Sequence, residues 1–209
     1  MSLNNNIVNK LKMEIRNEYG KLINHLEVDE QYLAKHFVKE NDIVLELGAR
    51  FGAVSCTVNG ILNNKTNQVV VEPDERVWGT LEKNKLFNNC KFNIVKGFIS
   101  REKLGLTNLN SPEGYSTTSQ KDDKSTIPSY TLEEIEKMYN LKFNVLIADC
   151  EGFLEKFFDE NPAFYDNLRL IQFEADCPEK CDYDKIRKNL VEKGFRRAVG
   201  GFQNVWLKD

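Results

Sequence analysis

Two glycines four residues apart directly behind an acid, Glu46-Leu47-Gly48-Ala49-Arg50-Phe51-Gly52, are the first residues of this chain that could do chemistry. Glycines so spaced let a backbone approach a ligand closely and present amide N–H groups at a helix start. The run lacks the middle glycine of G-x-G-x-x-G, so it suits a small carboxylate better than a pyrophosphate. Glu72, followed by Pro73, comes about 20 residues after Gly52, where an acid ending a second strand accepts hydrogen bonds from both ribose hydroxyls. Gly97 and Phe98 stand where they would border a nucleobase. Asp149, Glu151 and Glu174 end two further apolar runs. Carboxylates crowded in this way can supply a general base or hold a divalent cation such as Mg2+.

Positioning these groups takes alternating strands and helices. Ile43 opens an apolar run ending at Gly48, and a helix-length stretch follows over residues 53–63. QVVVEPD reads as a second strand, residues 75–88 as a helix and FNIVKG as a third strand. After a long insertion come a helix over 131–139 with Thr131 as its N-cap, the strand NVLIADCEG, a helix over 153–160 stopped by Asn161-Pro162, and the strand LRLIQFEAD. A helix over 184–193 ends at Gly194, and FRRAV and NVWLK form an antiparallel hairpin about Gly200-Gly201. The pattern predicts an α/β fold: a three-layer, doubly wound, mostly parallel seven-stranded sheet of Rossmann-like type.

Residues 1–40 read as an N-terminal extension of two helices, 4–25 and 29–39, packed on a domain over 41–209. Residues 98–127 read as a functional loop shaping an acceptor site, with Tyr115, Ser116, Thr117, Thr118 and Lys121 as its polar contacts. A formal net charge of -3 gives no basic field for a phosphate backbone, which argues against nucleic acid as partner. No apolar run reaches the length of a membrane span and no signal peptide is legible, so the expected location is cytoplasmic. Five scattered cysteines read as reduced thiols. Nothing here bears on oligomeric state.

These motifs together resemble the FkbM-type methyltransferases, over roughly residues 43–207. The family's D-x-G-A-N-x-G resembles Glu46 to Gly52, with Glu for Asp and Arg50 for Asn. Its E-P-x-P and L-x-x-N are similar to Glu72-Pro73-Asp74-Glu75 and Leu81-Glu82-Lys83-Asn84, and its T-L-x-x-[IL] to Thr131 through Ile135. Its D-x-E-G core is matched by Asp149-Cys150-Glu151-Gly152, although Ile147 stands at the family lysine and Leu154 at its second glutamate. Phe173-Glu174 is a further match. The resemblance implies S-adenosylmethionine as cofactor, a class I methyltransferase fold and O-methylation of a sugar, glycan or small hydroxylated metabolite. Cofactor contacts are then expected from Glu46 to Gly52 and at Glu72, Pro73, Gly97, Phe98 and Asp149, while the converging carboxylates of Asp149, Glu151 and Glu174 are the catalytic candidates and could hold a metal. Two other readings stay open: ribose 2'-O-methylation of RNA, and a cofactor-binding partner subunit without catalysis.

Overall fold

Apolar runs too short for buried helices, each closed by a polar or glycine turn, become strands in the computed structural model, which describes residues 13–109 and 117–209. The described elements are α1 (Val28–Phe37), β1 (Val44–Leu47), α2 (Ala53–Ile61), β2 (Gln68–Glu72), α3 (Glu75–Phe87) and β3 (Asn93–Lys96). Then come β4 (Phe98–Ile99), β5 (Leu104–Thr107), β6 (Thr118–Lys121), β7 (Ser129–Tyr130), α4 (Leu132–Tyr139) and β8 (Val145–Ala148). The chain continues through α5 (Leu154–Glu160), α6 (Phe164–Asn167), β9 (Leu170–Glu174), α7 (Tyr183–Glu192), β10 (Arg196–Val199) and β11 (Gln203–Leu207).

Seven strands form one sheet in the order β10-β11-β9-β8-β1-β2-β3. The pairs from β9 through β3 are parallel, while β11 runs antiparallel to both β9 and β10. This is the doubly wound sheet with a C-terminal antiparallel hairpin that the sequence predicts. Its central strands are apolar on both faces, as sheets covered by helices must be. Leu45, Leu47, Leu146, Ile171 and Phe173 pack on one side, and Val44, Val145, Ile147 and Leu170 on the other, under Ala34, Val54 and Val58. Each such side chain contributes about 1.5–3 kcal/mol on burial.

Local chemistry fixes the helix starts. Asp74 caps α3 through Arg76 N–H, Asp182 caps α7 through Lys185 N–H, and Thr131 with Glu134 forms a capping box on α4.

Two expectations need correction. Residues 13–25 of the first expected helix are not helical, and residues 4–12 lie outside the described residues. Asn17 Oδ1 accepts from the N–H groups of Tyr19 and Lys21, and Gly20 turns the chain at φ +77. A short bridge between Arg16 and Leu22 closes that turn. Asn84 and Asn88 of the α3 region then take up the backbone of Glu14 and Arg16, replacing helical hydrogen bonds. The second expected helix is α1. The 98–127 loop, for its part, contains structure: β4 pairs with β7, and β5 with β6 as an antiparallel hairpin. Only Thr118 of TSQK is buried, so β6 has no apolar alternation to betray it.

Candidate functional site

The sheet order reverses beside β1, with β2 and β3 on one side and β8 and β9 on the other. At such a point the connections leave in opposite directions and a crevice opens beyond the carboxyl ends of the strands. Here it is a cavity of about 520 Å³, within the range of roughly 300–1,000 Å³ typical of ligand pockets. Residues 25–30, Gly48, Arg50, 72–74, 97–99, Thr117, Ser119, 149–151, Glu174, Phe202 and Gln203 are among those lining it.

The glycine turn is held by both neighbouring strands. Gly48 N–H donates to the Val71 carbonyl and Asp149 N–H to the Leu47 carbonyl, each at 3.0 Å. Gly48 sits at φ +85, and a Cβ there would stand 1.6 Å from the Asp149 carbonyl oxygen. The ends of β1 and β8 meet only because that position has no side chain. Arg50 N–H then donates to Glu72 Oε2 at 2.7 Å, and Asp74 N–H to Glu72 Oε1 at 2.8 Å. Each carboxylate oxygen keeps a second acceptor position. Burial pushes Glu72 up to about 7 against the pull of these two backbone bonds.

Backbone strain concentrates on this cavity. Among the described residues, six non-glycine residues have positive φ, and three of them, Asn89, Asn108 and Asn140, are of the type that tolerates it. The other three, Glu27, Arg50 and Glu151, all line the cavity. Long side chains are held in this conformation at a cost of order 1–3 kcal/mol each, which is characteristic of ligand-binding loops.

The expected site residues divide between this wall and the interior. Gly48, Arg50, Glu72, Pro73, Gly97, Phe98, Asp149, Glu151 and Glu174 line the cavity. Ala49 and Phe51 are buried in the core beneath the turn, and Gly52 is the left-handed N-cap of α2. Glu46 is also not among the lining residues. Its side chain lies inside, accepting from Ser55 Oγ at 2.6 Å and Gln68 Nε2 at 3.0 Å. Thr117 lines the cavity and is tied to α3 by Arg76 Nη2 at 3.1 Å. Lys121 is not on the wall and pairs with Glu102 at 3.1 Å. Tyr115 and Ser116 lie outside the described residues.

Carboxylates dominate the wall beneath residues 25–30. Asp149 and Glu174 hydrogen-bond each other, and Gln203 Nε2 holds Glu174 Oε1 at 2.8 Å. Burial, then the charges of Asp176, Glu30 and Glu151, push Asp149 up to about 7. Burial, then Asp149 and Glu30, push Glu174 up to about 9. Among the described residues, the acidic trio around Asp149 with ligand atoms within 4.8 Å of one another is Glu30, Asp149 and Glu174. Glu151 belongs instead to a second group with Asp176 and Cys177, where Cys177 Sγ donates to Glu151 Oε2 at 3.4 Å. The expected trio Asp149, Glu151 and Glu174 shares the cavity wall, but as a candidate metal-ligand group it is replaced by Glu30, Asp149 and Glu174. Sequence reasoning missed Glu30 because an acid in the first turn of a helix already has a role with the helix dipole. It missed Gln203 because a polar residue opening an edge hairpin carries no signal.

The buried Glu46 makes stability depend on pH. Burial raises it to about 7, above the ordinary glutamate value, with its two hydrogen bonds opposing and Glu72 adding to the rise. The folded state therefore binds this proton more tightly than the unfolded chain. The resulting stability is complete below about pH 4 and is lost as pH climbs to about 7, amounting to about 3 kcal/mol. Glu46→Gln removes this titration. In urea unfolding at pH 5 and pH 8, the variant should gain about 2.5 kcal/mol on the wild type between the two. A constant difference would mean that Glu46 ionises normally.

No protein-family model matches the chain, and no curated protein matches it. Solved structures do resemble it. A precorrin-6y C5,15-methyltransferase from Geobacter metallireducens GS-15 superimposes with a TM-score of 0.57 at 15% identity, over 93% of this chain and 94% of that one. A methyltransferase from Pyrococcus furiosus gives 0.53 at 15% identity, over 97% and 92%. An O-methyltransferase from Bacillus cereus, solved in complex with SAH, gives 0.53 at 11% identity, over 88% and 82%. The chain has the Rossmann-like class I methyltransferase fold. No helix among the described residues is long and apolar enough to cross a membrane.

Proposed function

We propose that this chain is a methyltransferase that takes its methyl group from S-adenosylmethionine and delivers it to a hydroxyl of a sugar, glycan or small hydroxylated metabolite, as the FkbM-type enzymes its motifs resemble do. The observation that carries this reading is one cavity at the sheet's switch point, with Glu72 and the strained glycine turn on one side and Asp149 on the other.

The residues present fit that cofactor. Glu72 is fixed by two backbone N–H groups with acceptor positions to spare, as a ribose diol requires. A wall bearing Glu27, Glu30, Asp149 and Glu174 favours a ligand with an ammonium and a sulfonium and disfavours a phosphate chain, which argues against RNA. When bound, the cofactor supplies an electrophilic methyl carbon, whose bond to sulfur breaks as its bond to the acceptor oxygen forms and a thioether leaves. Asp149 takes the hydroxyl proton, since burial has brought its carboxyl close to neutrality. Glu174, oriented by Gln203, stands next to it. Thr117 and Ser119 supply the polar contacts that suit a hydroxyl-rich acceptor.

Calorimetry tests the first step. S-adenosylmethionine should bind the wild type, and Glu72→Gln should weaken it about tenfold or more through loss of one charged acceptor. Binding of NAD in place of S-adenosylmethionine would overturn the assignment.

A further inference from the structure

We propose that Glu30, Asp149 and Glu174 form a binding site for one divalent cation of the hard, oxygen-preferring kind, Mg2+ or Mn2+, beside the acceptor. The carboxylates come from three separate elements, the start of α1, the end of β8 and the end of β9, yet one oxygen from each falls within 4.8 Å of the others. Small side-chain shifts would bring the three oxygens from that spacing to a common centre at the roughly 2.0–2.1 Å that Mg2+ requires. An all-oxygen donor set selects Mg2+ or Mn2+ over softer metals.

The independent observation is Glu30. The residue is 7% exposed and lines the cavity, and no described residue donates a hydrogen bond to its carboxylate. A carboxylate on so buried a residue, turned to the cavity, calls for a partner that the polypeptide does not provide. It is also deliberately placed: Gln172 Nε2, itself buried in β9, donates to the Glu30 carbonyl at 3.0 Å and ties the start of α1 to the sheet. Glu174 is steered in the same way by Gln203. The second acidic group differs on this point. Cys177 donates to Glu151, and Tyr183 Oη donates to Asp176 at 2.8 Å, so its members already satisfy one another.

How the cation is used rests on the methyl-transfer reading; its binding does not. A divalent ion there draws the acceptor oxygen into place and lowers the pKa of its hydroxyl. Each carboxylate has two oxygens, so Asp149 can offer one to the ion and one to the proton.

The probe is Mn2+ alone, titrated into the full chain and followed by the electron paramagnetic resonance of the free ion. One ion should bind per chain, with Glu30→Gln and Glu174→Gln each weakening it at least about tenfold and Glu151→Gln changing it less than about twofold. Unfolding midpoints establish that each variant is folded, and if one is not, the other carries the test. Absence of saturable binding to the wild type overturns the site, as does equal loss in Glu151→Gln. If Mn2+ does not bind but Glu30→Gln weakens S-adenosylhomocysteine, the trio serves the cofactor's ammonium and the proposal is wrong. Calorimetry with S-adenosylmethionine, run without metal, separates failure of the cation site from failure of the methyl-transfer reading.

Discussion

Asp149→Asn should lower methyl transfer by about 10²- to 10⁴-fold, the usual contribution of a positioned general base. S-adenosylhomocysteine should still bind with nearly wild-type affinity, because the contacts that Asp149 makes to the glycine turn are through its backbone N–H and carbonyl. The substitution keeps size and shape and removes only the proton acceptor. Single-turnover assays against a panel of glycans and small hydroxylated compounds, beside calorimetry with the product cofactor, give the two readouts. Turnover close to wild type would remove Asp149 from the chemistry, whereas equal loss of binding and turnover would make it a cofactor contact only.

The second large effect is structural. In Gly48→Ala, a methyl group would have to occupy the position 1.6 Å from the Asp149 carbonyl oxygen while the backbone stays at φ +85. The left-handed conformation costs roughly 1–2 kcal/mol, and forcing atoms into a filled space typically 1–3 kcal/mol more. Against a total stability of about 5–15 kcal/mol for a domain, such a loss should lower the urea midpoint markedly and empty the cavity of any cofactor. An unfolding curve unchanged from wild type would mean that β1 and β8 can separate at this level without penalty.

The parts of the architecture written in local chemistry were readable in advance. VLEL, QVVVE, VLIA and LIQFE are short, apolar and closed by acids or glycines, so both their strand identity and the placing of those acids at the carboxyl ends followed. Thr131 and Glu134 announced α4. What failed depended on partners distant in sequence. Ile15, Tyr19 and Ile23 recur at helical spacing, yet Ile15 is buried against Phe51 and Leu81 while Tyr19 is 82% exposed. Asn84, some seventy residues away, decides that outcome by pairing with the Arg16 backbone. Glu46 was misjudged through strand alternation itself. It shares a face with Val44, opposite Leu45 and Leu47, so its carboxylate turns towards α2 and Ser55 instead of the ligand. Glu30 owes its place to the packing of α1 against β9, where Gln172 Nε2 reaches its carbonyl, a contact some 140 residues apart that no local pattern encodes.

β11 enters the sheet between β9 and β10, so β10 has no neighbouring strand until β11 follows it. The same strand brings Gln203 to Glu174, and the turn before it brings Phe202 to the cavity rim. A polypeptide still emerging from the ribosome therefore has its glycine turn and Glu72 before it has a finished cavity. On the proposed function, the cavity that would take the cofactor is complete only once the closing hairpin has joined the sheet.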